Sequence, residues 1–167
     1  KFSVGLNLGL HFLSGAITFD PLVSEVDPLV ASKIVLLDSL ISNIDRTAKN
    51  TNLLKWNEEL WVIDNGASLY FHHDWENWKN HLTRTFPHVK EHVLLPQANK
   101  LREAAEEIQQ SINPDKIIEI ISNIPEVWLI NEPNSLNPIE MRAAYAEFIN
   151  AKLFMIDLLA KEAADAR

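Results

Sequence analysis

The sequence predicts a mainly α fold with one small β-hairpin, and three observations predict it. Asp27-Pro28, Asn113-Pro114 and Asn137-Pro138 each set a capping side chain directly before a proline, the favoured opening of a helix. Behind these starts, apolar residues recur at three- and four-residue steps. Two short apolar runs, residues 53–56 and 60–63, lie around the polar Asn57-Glu58-Glu59 and suit a hairpin.

Taken in order, residues 2–19 hold three of the four glycines and alternate apolar positions at Val4, Leu6, Leu8, Leu10 and Phe12. With Ser14-Gly15 behind it, that period of two reads as a strand and turn. The first helix opens at Asp27-Pro28, and its buried face is expected to include Leu29, Val30, Ile34, Leu37, Leu40, Ile41 and Ile44. Residues 45–52 are too polar to continue it. Beyond Gly66 the spacing of Trp75, Trp78 and Leu82 predicts helix again, and residues 97–110 read as an amphipathic helix. A long last helix follows Asn137-Pro138, with Tyr145, Phe148, Ile149, Phe154 (or Leu153), Ile156 and Leu159 inward and residues 160–167 fraying. No repeat, low-complexity tract or linker interrupts the chain. It reads as one domain, a strand-turn segment over 1–26 and a helical part over 27–167.

At 167 residues the chain is long enough to bury a sizeable core. Hydrophobic residues at 47% and charged residues at 23% are ordinary for a globular protein. A net charge of −8 excludes a nonspecific grip on nucleic acid, which needs clustered Lys and Arg. ATP remains compatible with that charge, because magnesium screens the phosphates. The absence of cysteine excludes disulfides, thiolate metal sites and a cysteine nucleophile. No apolar run approaches the roughly 20 residues needed to span a bilayer. The start lacks the regions of a signal peptide. A soluble cytoplasmic protein is expected. Because it opens on Lys1-Phe2-Ser3 without an initiator Met, the chain reads as a piece of a longer protein.

The chemistry is concentrated in residues 43–66. Asp45 and Asn50 stand five apart in the polar segment after a buried helix, and Asp64 follows a β-run and precedes Gly66. Phosphoryl transfer needs a carboxylate beside the attacking hydroxyl and oxygen ligands that hold magnesium against the ATP phosphates. Singly, these residues are ordinary turn formers. Their order (helix, Asp-x-x-x-x-Asn loop, hairpin, Asp-x-Gly) is the layout of a protein-kinase catalytic core. The glycine is expected to let the backbone turn sharply there.

Residues 43–73 also resemble the HipA-like kinase family, in which Asn-x-Asp-Arg lies upstream of Asn-Leu-Leu and Ile-Asp-x-Gly-Ala precedes Leu-Tyr-Phe-His-His. Here these read Asn43 to Arg46, Asn52 to Leu54, Ile63 to Ala67 and Leu69 to His73. The resemblance is carried by residues 27–75, extends to the strand-turn region before them and thins after Pro96. It implies a protein-kinase-like large lobe with Asp45 as catalytic base, Asn50 and Asp64 as magnesium ligands, and Lys49 near the transferring phosphate. It further implies ATP and Mg2+ as cofactors, a protein Ser or Thr hydroxyl as acceptor, and a small DNA-binding antitoxin as a possible partner. Arg46 follows Asp45 where most kinases set His-Arg before it, Asn65 takes the place of the usual Phe, and no Ala-Pro-Glu closes an activation segment. The Gly-rich loop, the Val-Ala-Ile-Lys-like strand and its partner Glu are absent from the sequence, so the small lobe is largely missing and this chain alone is expected to be inactive. The alternative is a non-catalytic, pseudokinase-like or helical protein-interaction module.

The other polar and aromatic residues read structurally. His72-His73-Asp74 lacks the spacing of a zinc site, and His88 and His92, though four apart, sit beside Pro87 without a Glu after His88; within the resemblance His72 and His73 pack near the metal loop. The five tryptophans read as packing residues. The acidic run 103–107 reads as a solvated helix face.

Overall fold

The structure, a computed structural model, describes residues 4–130 and 136–167, the side chain of His73 excepted. Three helix starts follow from their caps. Asp27 accepts hydrogen bonds from the backbone N–H groups of Leu29 and Val30 and opens α1, Pro28–Ile41. Asn113 accepts from Lys116 N–H and opens α3, Pro114–Ser122, which follows α2, Leu101–Ser111. A short α4, Glu126–Leu129, comes next. Asn137 and Glu140 form a reciprocal capping box at the head of α5, Pro138–Phe154, and α6, Ile156–Ala166, completes the chain.

The sheet is small and antiparallel, in the order β1 (Ile17–Thr18), β2 (Leu53–Trp56), β3 (Glu59–Val62). The expected hairpin is present within one residue of its predicted bounds, with Trp56 opposite Glu59 and Leu53 opposite Val62. Its turn residues Asn57 and Glu58 both have positive φ, 48° and 67°, so the tight connection is of the kind whose twist matches the strands. Trp56 and Trp61 meet edge-on across it at 5.6 Å.

Two apolar clusters hold the chain together. In the first, α1, α2 and α6 pack on one another and on Phe19, Leu53, Phe86 and Leu94. In the second, α3 and α5 enclose Phe71, Ile117, Met141, Tyr145 and Phe148, with Trp75 and Trp78 against them. Leu153 and Ile112 touch both.

Several expectations need correcting. The alternating residues 4–12 form no strand, and Val4, Leu6, Leu8, Leu10 and Phe12 are exposed. Alternation makes a strand only beside a partner edge, and among the described residues the ladder on this side is the two-residue β1. α1 buries Ala31, Ile34, Val35, Leu36 and Leu40, whereas Val30 and Leu37 are more than a third exposed. In a helix apolar nearly all round, period alone does not choose the inner face. Ile44 lies beyond the helix, which stops at Ser42 in a left-handed cap with φ 54°. The segment predicted as helix after Gly66 is a series of 3₁₀ turns, Tyr70–His73, Trp75–His81, Pro87–Glu91 and Leu95–Gln97. The last helix is two helices broken at Met155, so Leu153 packs inward and Phe154 is 90% exposed. Residues 160–166 stay helical because Ala160 and Ala163 are buried in the first cluster.

Candidate active site

The left-handed cap at Ser42 sends the chain sharply off the end of α1 into the polar loop, and a buried network then fixes that loop. Asp38, on the last turns of α1, is fully buried. It accepts from Arg46 Nε at 2.5 Å, His92 Nε2 at 2.9 Å and Asn43 Nδ2 at 3.0 Å. Because the Leu94 N–H donates to His92 Nδ1 at 3.0 Å, the His92 ring carries its proton on Nε2 and donates to Asp38. Burial by itself raises the Asp38 carboxyl, but the hydrogen bonds from His92 and Arg46, with the Arg46 charge, outweigh it and hold its pKa below the usual 3.8.

Arg46 has all five of its N–H groups paired, although its side chain has no exposure to water. Besides the two bonds to Asp38, Nη1 reaches the carbonyls of Asn52 at 2.6 Å and Ile63 at 3.1 Å, and Nη2 reaches Asn65 Oδ1 at 2.5 Å. One guanidinium therefore ties together the end of α1, the loop, the end of β3 and the turn after it. Asn43 reinforces this, since its Oδ1 accepts the Asp45 N–H at 3.2 Å. From the far side, Val93 N–H donates to the Arg46 carbonyl at 3.0 Å.

On this frame two of the predicted residues, Asp45 and Asn50, come into contact. Asn50, held in a tight turn by reciprocal backbone bonds with Thr47, donates Nδ2 to Asp45 Oδ2 at 2.7 Å. Donating through nitrogen leaves its amide oxygen facing elsewhere, the end that ligates a cation. Asn52 lies between the carboxylate residues, with Nδ2 3.5 Å from Asp45 Oδ2 and 3.4 Å from the Asp64 carbonyl. Asp64 itself has φ 47°, and its Oδ1 accepts the Gly66 N–H at 3.2 Å. Lys49 is exposed and lines, with Thr18, Asp20, Asn50, Asn52 and Ile63, a groove of about 580 Å³ beside the loop.

The expected role of the glycine changes. The sharp backbone position is Asp64, and Gly66 has no positive φ. A Cβ at Gly66 would stand 3.1 Å from Asp64 Oδ1, so any other residue would push the carboxylate back by a few tenths of an ångström. Ser42, Asn52, Asp64 and Leu69 all have left-handed backbone at the borders of this region. Asn and Asp adopt it readily; for Leu69, whose N–H bonds the Ile41 carbonyl at 2.7 Å, it is strained.

Sequence reasoning missed Asp38, Asn52 and His92 as supports and left Arg46 without a role. The available signal was Asp38, an acid inside the apolar run from Val35 to Ile41. His88 and His92 do not act as a pair: His88 is exposed, and His92 is committed to Asp38. His72 stacks on Trp75 at 5.3 Å and lies 5.3 Å from Tyr145, in the second cluster; the side chain of His73 lies outside the described residues. Among the described residues, no three His, Cys, Asp or Glu side chains converge as a metal site. Magnesium bound with phosphates asks for less, one or two carboxylates and neutral oxygens, with waters and phosphate completing the octahedron. The Asp64 carboxylate and the Asn50 amide oxygen fit that donor set.

The sequence model of the HipA-like kinase family matches residues 6–155. The chain belongs to that family. Comparison with curated proteins and with solved structures gives no match. Among the described residues, no helix is long and apolar enough to cross a membrane.

Proposed function

We propose that this chain is the large, catalytic lobe of an ATP- and magnesium-dependent kinase that phosphorylates a protein Ser or Thr hydroxyl. The observation that carries the reading is the Asp45–Asn50 contact of 2.7 Å beside the Asp64 turn, all on backbone pinned by Arg46. In this reading Asp45 accepts the proton of the acceptor hydroxyl as the new O–P bond forms and ADP leaves. Asp64 and the Asn50 amide oxygen would hold Mg2+, which when bound neutralises charge on the phosphates. Asn50 also fixes the rotamer of Asp45, and Lys49 in the adjoining groove offers a cation to the phosphates. The Arg46 network limits reorganisation of the loop during transfer, since each of its donors is already paired. A protein substrate and a small DNA-binding antitoxin are the partners we propose for the complete protein, and this chain alone is expected to turn over slowly or not at all.

Thermal unfolding with and without Mg·ATP, run beside Asp64→Asn, tests the site. Ligand at about 100 times its Kd stabilises the fold by roughly 2.7 kcal/mol, and the shift should vanish in Asp64→Asn. Phosphoryl transfer by the complete protein should fall by orders of magnitude in Asp45→Asn. Unchanged transfer in both variants would exclude these roles, and partner binding without turnover would favour a non-catalytic module.

A further inference from the structure

A second cavity, of about 370 Å³, also borders the loop and shares no lining residue with the Lys49 groove. Ser42 and Ile44 form its loop side. Ile44 directly precedes Asp45, so the cavity reaches within one backbone step of the proposed base, roughly 3.8 Å between Cα atoms. The rest of its wall holds two cations, Arg84 and Lys152, with His81 and His88 beside them and no Asp or Glu among the described residues, in a chain of net charge −8.

Two nearby acids, Glu162 and Asp74, offset part of that charge from outside the wall. Glu162 accepts the Phe86 N–H at 2.7 Å. Asp74 stays 3.7 Å from His81 Nε2, beyond hydrogen-bond reach, and that buried nitrogen has no hydrogen-bond partner among the described residues. Lys152, only 1% exposed, donates its ammonium to the Arg84 carbonyl and stands 5.1 Å from the centre of the Phe148 ring. Burial presses its pKa down to about 8, with Glu162 opposing and the Arg84 charge adding to the fall. Cations gathered at a half-apolar wall without a carboxylate among them favour an incoming oxyanion.

We propose that this cavity is an anion subsite for the polypeptide acceptor, taking a carboxylate or phosphoryl side chain next to the hydroxyl that Asp45 addresses. Arg84 supplies a planar fork for the oxyanion and Lys152 a point charge. The kinase thereby selects acidic or already phosphorylated sequences. The acceptor hydroxyl rests on the kinase reading above; the anion binding does not.

The test is equilibrium binding without turnover. Fluorescein-labelled, serine-centred peptide mixtures, with phosphoserine or glutamine fixed beside the central serine, are titrated by anisotropy against the wild-type chain and Arg84→Gln. Arg84 is exposed and its main-chain carbonyl remains to hold Lys152, so the variant should fold, as circular dichroism will verify. The phosphoserine mixture should bind about tenfold more tightly than the glutamine one, and Arg84→Gln should remove most of that preference. Equal binding of the two mixtures by the wild type overturns the proposal, as does a preference that survives in Arg84→Gln. Binding of inorganic phosphate alone, without a peptide preference, assigns the wall to free phosphate and also overturns it. The Mg·ATP shift on the same samples keeps the two readings apart: a peptide preference without that shift defeats only the kinase reading, and the shift without a preference defeats only the subsite.

Discussion

Asp38→Asn should be among the most damaging near-isosteric substitutions in this chain. The carboxylate has no exposure to water and accepts from Arg46, His92 and Asn43, while Arg46 is equally buried. The amide keeps the volume but removes the charge, and it turns an N–H group toward donors. Removing one partner of a buried ion pair costs about 3–5 kcal/mol, since the other charge remains buried without compensation. A domain of this size has a total stability of about 5–15 kcal/mol. With each kcal/mol worth roughly 2–4 °C at this length, the midpoint should fall by about 10 °C. The pH dependence has a definite sign. The native Asp38 pKa is lowered, so its stabilisation is fully present above the unfolded value of 3.8 and is lost as pH falls below 3.8 toward the native value. Urea unfolding followed by circular dichroism and tryptophan fluorescence, at neutral pH and down to pH 3, reads both effects. A loss under about 1 kcal/mol, or an acid limb identical in the two proteins, would refute the view that this network carries the loop.

Other consequences can be measured on the same samples. The Lys152 pKa is lowered to about 8 from 10.5, so between those values the unfolded chain binds the extra proton and wild-type stability should rise with pH; Lys152→Met should lack that rise in urea titrations. Glu58 holds φ 67° in the hairpin turn, where glycine is at ease. Glu58→Gly should therefore raise stability by about 1 kcal/mol, seen as a higher urea midpoint at unchanged slope.

The helix starts were legible because capping is local: Asp27, Asn113 and Asn137 act on N–H groups two or three residues away. The hairpin was legible for the same reason, as was the pairing of Asp45 with Asn50, five positions apart in one loop. Partner-dependent features were not. Val4 to Phe12 alternate like a strand, yet a strand is defined by an edge elsewhere in the chain. Leu153 and Phe154 are equally apolar neighbours, and only the break at Met155 sends one inward and leaves the other exposed.

The sequence alone therefore determined a mainly helical chain with a hairpin, and the residue types at the candidate site. Tertiary structure decided what holds that site in place. Asp38 and His92 lie 54 positions apart, and nothing local in either residue announces the other. Their pairing follows from burial, because a carboxylate taken out of water beside the Arg46 guanidinium must still find every remaining hydrogen-bond partner in the packed chain, and the His92 ring supplies one.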